Sequence, residues 1–146
     1  MGGMGSGRKM HYSAKREVED CYVLSAFSLR KHHILDEGAV CHGTITTKQG
    51  SIKFERERDV LILTYTIAPK RSIQLGLRVS HTRPRFGGQR PWLHCPNCDR
   101  RCGKLYLALG QELFLCRECA HLTYQSTRDD TATRLRKAMG KAKPAP

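Results

Sequence analysis

The chain has 146 residues, enough for one domain or for one domain with a small appended module. A hydrophobic fraction of 39% against 27% charged residues allows only a modest core, and no apolar run approaches the ~20 residues of a membrane span. An excess of 26 Lys and Arg over 13 Asp and Glu leaves +13 at neutral pH; that charge attracts polyanions, nucleic acid first and an anionic membrane only second, since no long basic amphipathic helix accompanies it.

Residues 1–16 are Gly-rich, then basic, and read as a flexible leader. They lack the apolar stretch of a secretory signal. Gly2 and Ser6 fit the loose myristoylation pattern, but a Gly-rich leader explains the same letters. The expected setting is therefore the cytoplasm.

Residues 17–82 read as a short helix plus an antiparallel sheet. Ser25 is placed to cap a helix running through Phe27, Leu29 and Arg30 towards His33. Two or three turns need packing to persist, and no second helix follows to make a helix-turn-helix. The pattern then turns to β. Residues 44–47 are β-branched and end at the turn signal Lys48-Gln49-Gly50. In 51–56, Ile52 and Phe54 share a face. After the polar turn Glu57-Arg58-Asp59, Leu61, Leu63, Tyr65 and Ile67 share a face of the strongest strand. Pro69-Lys70 breaks it, and Ile73, Leu75, Leu77 and Val79 then alternate with polar neighbours. Four closely spaced strands with short turns imply an antiparallel meander with one buried face. The expected fold class is mainly β with short helices, a meander followed by a small cysteine-bearing module.

Residues 83–126 are expected to form a basic loop and that module. The stretch 80–92 holds Arg83, Arg85 and Arg90 among Pro84, Gly87, Gly88 and Pro91, and reads as a linker-like loop between sheet and metal module. From Lys70 to Lys104 there are nine Lys or Arg and one acid, Asp99. Residues 120–126 suit a helical turn or a closing strand, and 127–146 a basic flexible tail.

Cys95-Pro96-Asn97-Cys98 and Cys116-Arg117-Glu118-Cys119 are separated by 17 residues, the spacing of a C-x2-C…C-x2-C zinc site. Two residues between thiolates let one tight turn present both sulfurs to one ion, and two such knuckles complete a tetrahedron. One structural Zn2+ held by Cys95, Cys98, Cys116 and Cys119 is the expected cofactor, with an iron–sulfur centre as the lesser alternative. Residues 104–109 and 112–115 should form the hairpin of a zinc ribbon around Gly110-Gln111. Cys102 crowds the first knuckle and is the one competitor for a ligand position. His94 and His121 suit supporting positions beside the ligands. Cys21 and Cys41 read as small buried hydrophobes. Arg100, Arg101, Lys104 and Arg117 flank the ligands and offset the negative charge of four thiolates around one Zn2+.

The stretch Arg85-Phe86-Gly87-Gly88-Gln89-Arg90-Pro91-Trp92, with Cys95-Pro96, Arg100-Arg101, Lys104-Leu105-Tyr106-Leu107 and Cys116-Arg117-Glu118-Cys119 ahead of Leu122-Thr123-Tyr124, resembles a family of small bacterial and prophage-associated zinc-ribbon proteins. Its members open with a Met-Gly-Ser-Gly-Arg leader, matched by Met4 to Arg8. The resemblance implies residence on a mobile element and a zinc ribbon, but no activity. Cys102 stands where an apolar residue is expected.

A closed all-sulfur site leaves no open position for water or substrate, which argues against a zinc hydrolase. No zinc-protease, deaminase, Walker or nucleophile-elbow pattern appears, and Asp59, Glu112 and Glu118 make no catalytic set, so no enzyme and no small-molecule substrate is expected. The first reading is a nucleic-acid-binding protein, with Arg78, Arg83, Arg85, Arg90, Arg100 and Arg101 on phosphates. Trp92 then either stacks on bases or, with Phe86, forms the seam between sheet and ribbon. The alternative is an adapter or inhibitor that docks on a host nucleoprotein complex, a polymerase or a defence nuclease.

Overall fold

A computed structural model of the chain describes residues 16–47, 50–67, 70–124, 131–132 and 135–136. The expected leader up to residue 15, Lys48 and Gln49 of the first turn, Pro69 and most of the basic tail lie outside the described residues.

The protein is mainly β. Its elements are β1 (Tyr22–Ser25), α1 (Ala26–Lys31), β2 (Val40–Thr47), β3 (Gly50–Glu57), β4 (Val60–Ile67), β5 (Arg71–Thr82), β6 (Arg90–His94), β7 (Arg101–Cys102) and β8 (Lys104–Leu107), preceded by a single 3-10 turn at Val18–Asp20. Strands β2 to β7 form one antiparallel sheet in sequence order, and β1 pairs with β8 in a second, two-stranded sheet. Among the described residues no helix is long and apolar enough to cross a membrane.

Ser25 caps α1 as expected, its Oγ accepting the Ser28 N–H at 3.4 Å. The helix ends at His32 and is followed by His33 in the left-handed region, at φ 58°. Its first N–H, on Ala26, donates to the Gly103 carbonyl at 2.9 Å and so fixes the helix to the β7–β8 turn. Ala26 and Leu29 are its buried residues. A six-residue helix is too short to stand alone; the apolar face it lends to the core holds it.

That core is the face the alternation implies. Leu61, Leu63, Leu75, Leu77, Val79 and Leu93 of the sheet share one cluster with Leu29, Leu35, Leu105 and Phe114. Each fully buried leucine contributes roughly 1.5–3 kcal/mol. Strand β2 starts at Val40, four residues before the β-branched run at 44–47. Gly43 sits opposite Phe54, and a Cβ there would meet the Phe54 ring at 3.0 Å. The extra length of β2 is thus built on a close approach of backbone to ring.

Arg56 continues the inward face of Ile52 and Phe54, 1% exposed. Its Nε, Nη1 and Nη2 are buried without a hydrogen-bond partner. Burial lowers its pKa, opposed by Asp59 and Cys41.

The sheet does not stop where a linker was expected. β5 runs to Thr82 and β6 begins at Arg90, so the expected loop over 80–92 contracts to a hairpin connection at 83–89. Residues 79–82 pair with 90–93, and β6 pairs on with β7. The first cysteine knuckle is therefore the turn between two strands of the main sheet. The hairpin expected over 104–115 is reduced to one bridge, Tyr106 with Leu115, while the other edge of β8 pairs with β1, Leu105 facing Leu24.

Candidate metal centre

Two similar turns present the sulfurs. In the first, His94 ends β6, the Asp99 N–H returns to the Cys95 carbonyl at 2.8 Å, and the Cys95 N–H donates to the Arg100 carbonyl at 3.0 Å. In the second, the Ala120 N–H returns to the Cys116 carbonyl at 2.9 Å. Each turn is closed by a residue in the left-handed region, Asp99 at φ 55° and His121 at φ 52°. The second turn is laced to the N-terminal segment, with the Val18 N–H on the Thr123 carbonyl at 3.0 Å and the Thr123 N–H on the Arg16 carbonyl at 2.9 Å. Under it lies a satellite cluster of Cys21, Tyr106, Ala108, Ala120 and Leu122. Of the helical turn or closing strand expected at 120–126, the described residues 120–124 show a turn and one bridge, at Thr123; 125 and 126 lie outside the described residues.

The sulfurs of Cys95, Cys98, Cys116 and Cys119 all lie within 4.8 Å of one another. Cys98 and Cys116 are 3.8 Å apart, which matches the ~3.8 Å edge of a tetrahedron with metal–sulfur bonds of ~2.3 Å. These four residues can hold a metal ion. Cys95 and Cys116 are buried, Cys119 half-buried and Cys98 exposed, so the centre is anchored in the protein on one side and faces solvent on the other.

The electrostatics of the thiols agree with a cation between them. Burial pushes Cys95 up, but N–H groups of Cys116, Cys98 and Asn97 aimed at its sulfur outweigh this and bring it down to about 7. Cys119 receives the Asn97 side-chain N–H, at 3.3 Å, yet burial and the three other crowded thiols drive it up to about 12. Four thiolates this close repel one another, so holding all four in the charged form needs a positive ion between them.

Cys102 is outside the set. Its thiol donates to the Arg100 carbonyl at 3.3 Å, and burial, then the neighbouring Cys116, Cys95 and Cys98, push it up to about 11. Cys21 is buried, as expected, and Cys41 half-buried.

His94 supports the first knuckle. Its Nδ1 lies 2.9 Å from the Asp99 carbonyl, 3.2 Å from the Asp99 carboxylate and 3.0 Å from Arg78 Nη2, and its Nε2 lies 2.8 Å from the Ser80 hydroxyl. Arg78 closes the group by an ion pair to Asp99. The order Ser80–His94–Asp99 is that of a hydrolytic relay; its consequence here is to fix the residue that precedes Cys95. His121 is exposed. Sequence reasoning named His94 as a supporting group but missed Ser80, which the register of β5 with β6 brings to it, and Asp99, which the turn of the first knuckle folds back onto it.

The six candidate arginines are all exposed but differ in their engagements. Arg78 pairs with Asp99 and Arg100 with Glu118. Arg90 lies over the Trp92 ring, 4.2 Å from its centroid. Register and alternation put Arg78, Ser80 and Thr82 of β5, Arg90, Trp92 and His94 of β6, and Arg101 of β7 on one face of the sheet, opposite the core. Arg83 and Arg85 stand in the hairpin connection beyond it. Trp92 is half-buried on that face, its indole N–H donating to Thr82 Oγ1 at 2.8 Å. Phe86 takes no part in a seam: it is 99% exposed.

The fold and this site define a mainly β protein with a four-cysteine, metal-competent centre built into one end of its sheet. Comparisons with models of known families, with curated proteins and with solved structures returned no match.

Proposed function

We propose that this is a zinc-ribbon nucleic-acid-binding protein of a phage or other mobile element, acting in the bacterial cytoplasm. One structural Zn2+ would sit between Cys95, Cys98, Cys116 and Cys119, and phosphates would lie along the arginine face of β5–β7. Four sulfurs at tetrahedral spacing suit Zn2+, and with no position open to water the ion would stabilise rather than catalyse. No enzymatic step is proposed.

The observation that carries the nucleic-acid reading is the composition of the face and its hairpin tip. Arg83, Arg85, Arg90 and Arg101 are exposed and make no ion pair with any described residue, and no acidic residue occurs between Ser80 and Cys98. The mobile-element setting rests on the resemblance of the 85–124 motifs alone.

Fluorescence anisotropy with random-sequence oligonucleotides tests the reading. Releasing four phosphate counterions predicts a fall in affinity on the order of 50-fold between 50 and 200 mM salt. No binding at 50 mM salt would reject it in favour of an adapter that docks on a host protein complex.

A further inference from the structure

Phe86 is the most exposed large apolar residue among those described, at 99%. Single exposed hydrophobics are ordinary on protein surfaces, so exposure alone carries nothing. What sets Phe86 apart is how the chain holds it. The Gly87 N–H donates to the Pro84 carbonyl at 3.0 Å, so Pro84 to Gly87 close a four-residue turn. Arg85 and Phe86 occupy its two corner positions, which project from the tip. Pro84 restricts φ on one side of the turn. On the other, Gly87 and Gly88 take φ +87° and +80°, a region closed to most side chains. The Gln89 amide donates to the Glu37 carboxylate, which fastens the loop to the body and occupies the nearest acid. Two extended strands, paired up to Thr82 and Arg90, carry the whole device.

The other solvent-facing aromatics are already covered. Lys31 lies over Phe27, Arg90 over Trp92 and Arg117 over Tyr124, at 5.1, 4.2 and 5.4 Å from the ring centroids. Among the described residues nothing lies over Phe86, so both faces of its ring are bare. Arg83 and Arg85 flank it, and the arginine face of β5–β7 continues from its base.

We propose that Phe86 is a stacking platform for an unpaired base, and that the substrate class is single-stranded nucleic acid. The inference rests on the nucleic-acid reading above and adds the class of strand to it. A flat π-face flanked by cations matches a base flanked by its phosphates. A single strand offers that base without the cost of unstacking a duplex. The six-residue α1 is too short to read a groove.

The test uses the full-length protein and three labelled probes: a single-stranded oligonucleotide of about 12 residues, an abasic oligonucleotide with the same number of phosphates, and the corresponding duplex. Phe86→Ala and Phe86→Leu are expected to weaken binding of the base-bearing single strand by roughly 5- to 100-fold without changing the salt dependence. Phe86→Tyr keeps wild-type affinity, and on the abasic strand all forms bind alike. The side chain packs against nothing, so these variants fold. Wild-type affinity in Phe86→Ala, or an equal loss on the abasic strand, overturns the stacking role while leaving the phosphate reading in place. Duplex bound more tightly than single strand overturns the assigned strand class. Loss of binding to phosphatidylserine vesicles in Phe86→Ala, with oligonucleotide binding unchanged, assigns the ring to a lipid surface instead. Failure of the wild type to bind any oligonucleotide removes both readings.

Discussion

The Cys116 N–H points at the Cys95 sulfur, 3.4 Å away across 21 residues of chain. The contact joins two turns of separate origin, one on the main sheet and one beside the N-terminal segment, at the centre of the sulfur cluster. Each knuckle thereby helps to set the charge of the other's ligand, as the low pKa of Cys95 records. The two half-sites form one unit, and damage to either should be felt by both.

Cys116→Ser is accordingly expected to abolish tight zinc binding and to loosen residues 95–122, because metal binding and folding are coupled. Cys102→Ser, which removes a thiol outside the cluster, should keep full metal content. Elemental analysis with thermal melts compares them. Equal zinc and equal melting in Cys116→Ser and wild type would defeat the ligand assignment.

Replacing Arg83, Arg85 and Arg90 together by Ala should leave the fold intact, since all three are exposed and exposed substitutions cost within about 0.5 kcal/mol each. Oligonucleotide affinity should fall, and the slope of log affinity against log salt should shrink by about one per arginine. An unchanged slope would remove the hairpin from the interface.

Much of this was legible in the sequence, for reasons that can be named. Strands β3, β4 and β5 alternate with period two, so Leu61, Leu63, Leu75 and Leu77 declare their face directly. The four clustered cysteines follow from two C-x-x-C turns at a fixed separation. Ser25 announces the helix start. What failed to show was non-local. The pairing of β1 with β8 joins Leu24 to Leu105 across the chain, and no local pattern carries it. The β5–β6 hairpin hid behind Arg, Pro and Gly, which read as a linker when no partner strand is in view. Arg56 was passed over because a charged residue is ordinarily assigned to solvent, although the period that buries Ile52 and Phe54 also buries it.

Arg56 supplies a stability test of its own. A guanidinium buried with no partner costs free energy that a thioether of similar length does not. Arg56→Met is expected to raise the unfolding free energy by about 1–4 kcal/mol, read as a higher denaturant midpoint. A drop of similar size would mean that the guanidinium is paired in solution.

The Tyr65 hydroxyl donates to the Glu112 carbonyl at 2.6 Å, and its ring meets Phe114 edge-on. Burial first, and Glu112 second, raise its pKa to about 12 from 10. Because the folded value lies above the unfolded one, the protonated form supports the fold. This contribution is complete below pH 10 and is lost as pH climbs towards 12. Denaturant melts across that window should show stability falling. Tyr65→Phe should lower stability by about 1 kcal/mol at neutral pH and flatten the alkaline loss. The loss should not vanish, because Tyr106, raised to about 12 by burial and Tyr124, titrates in the same range. An alkaline profile unaltered by Tyr65→Phe would contradict the assignment.

Metal stoichiometry combined with thiol titration, on untagged protein purified without chelator, reaches the central claim most directly. The account predicts one zinc per chain, with Cys41 and Cys102 reacting, the buried Cys21 reacting only slowly, and Cys95, Cys98, Cys116 and Cys119 protected until a chelator is added. Metal-free protein whose seven thiols all react without a chelator would contradict it.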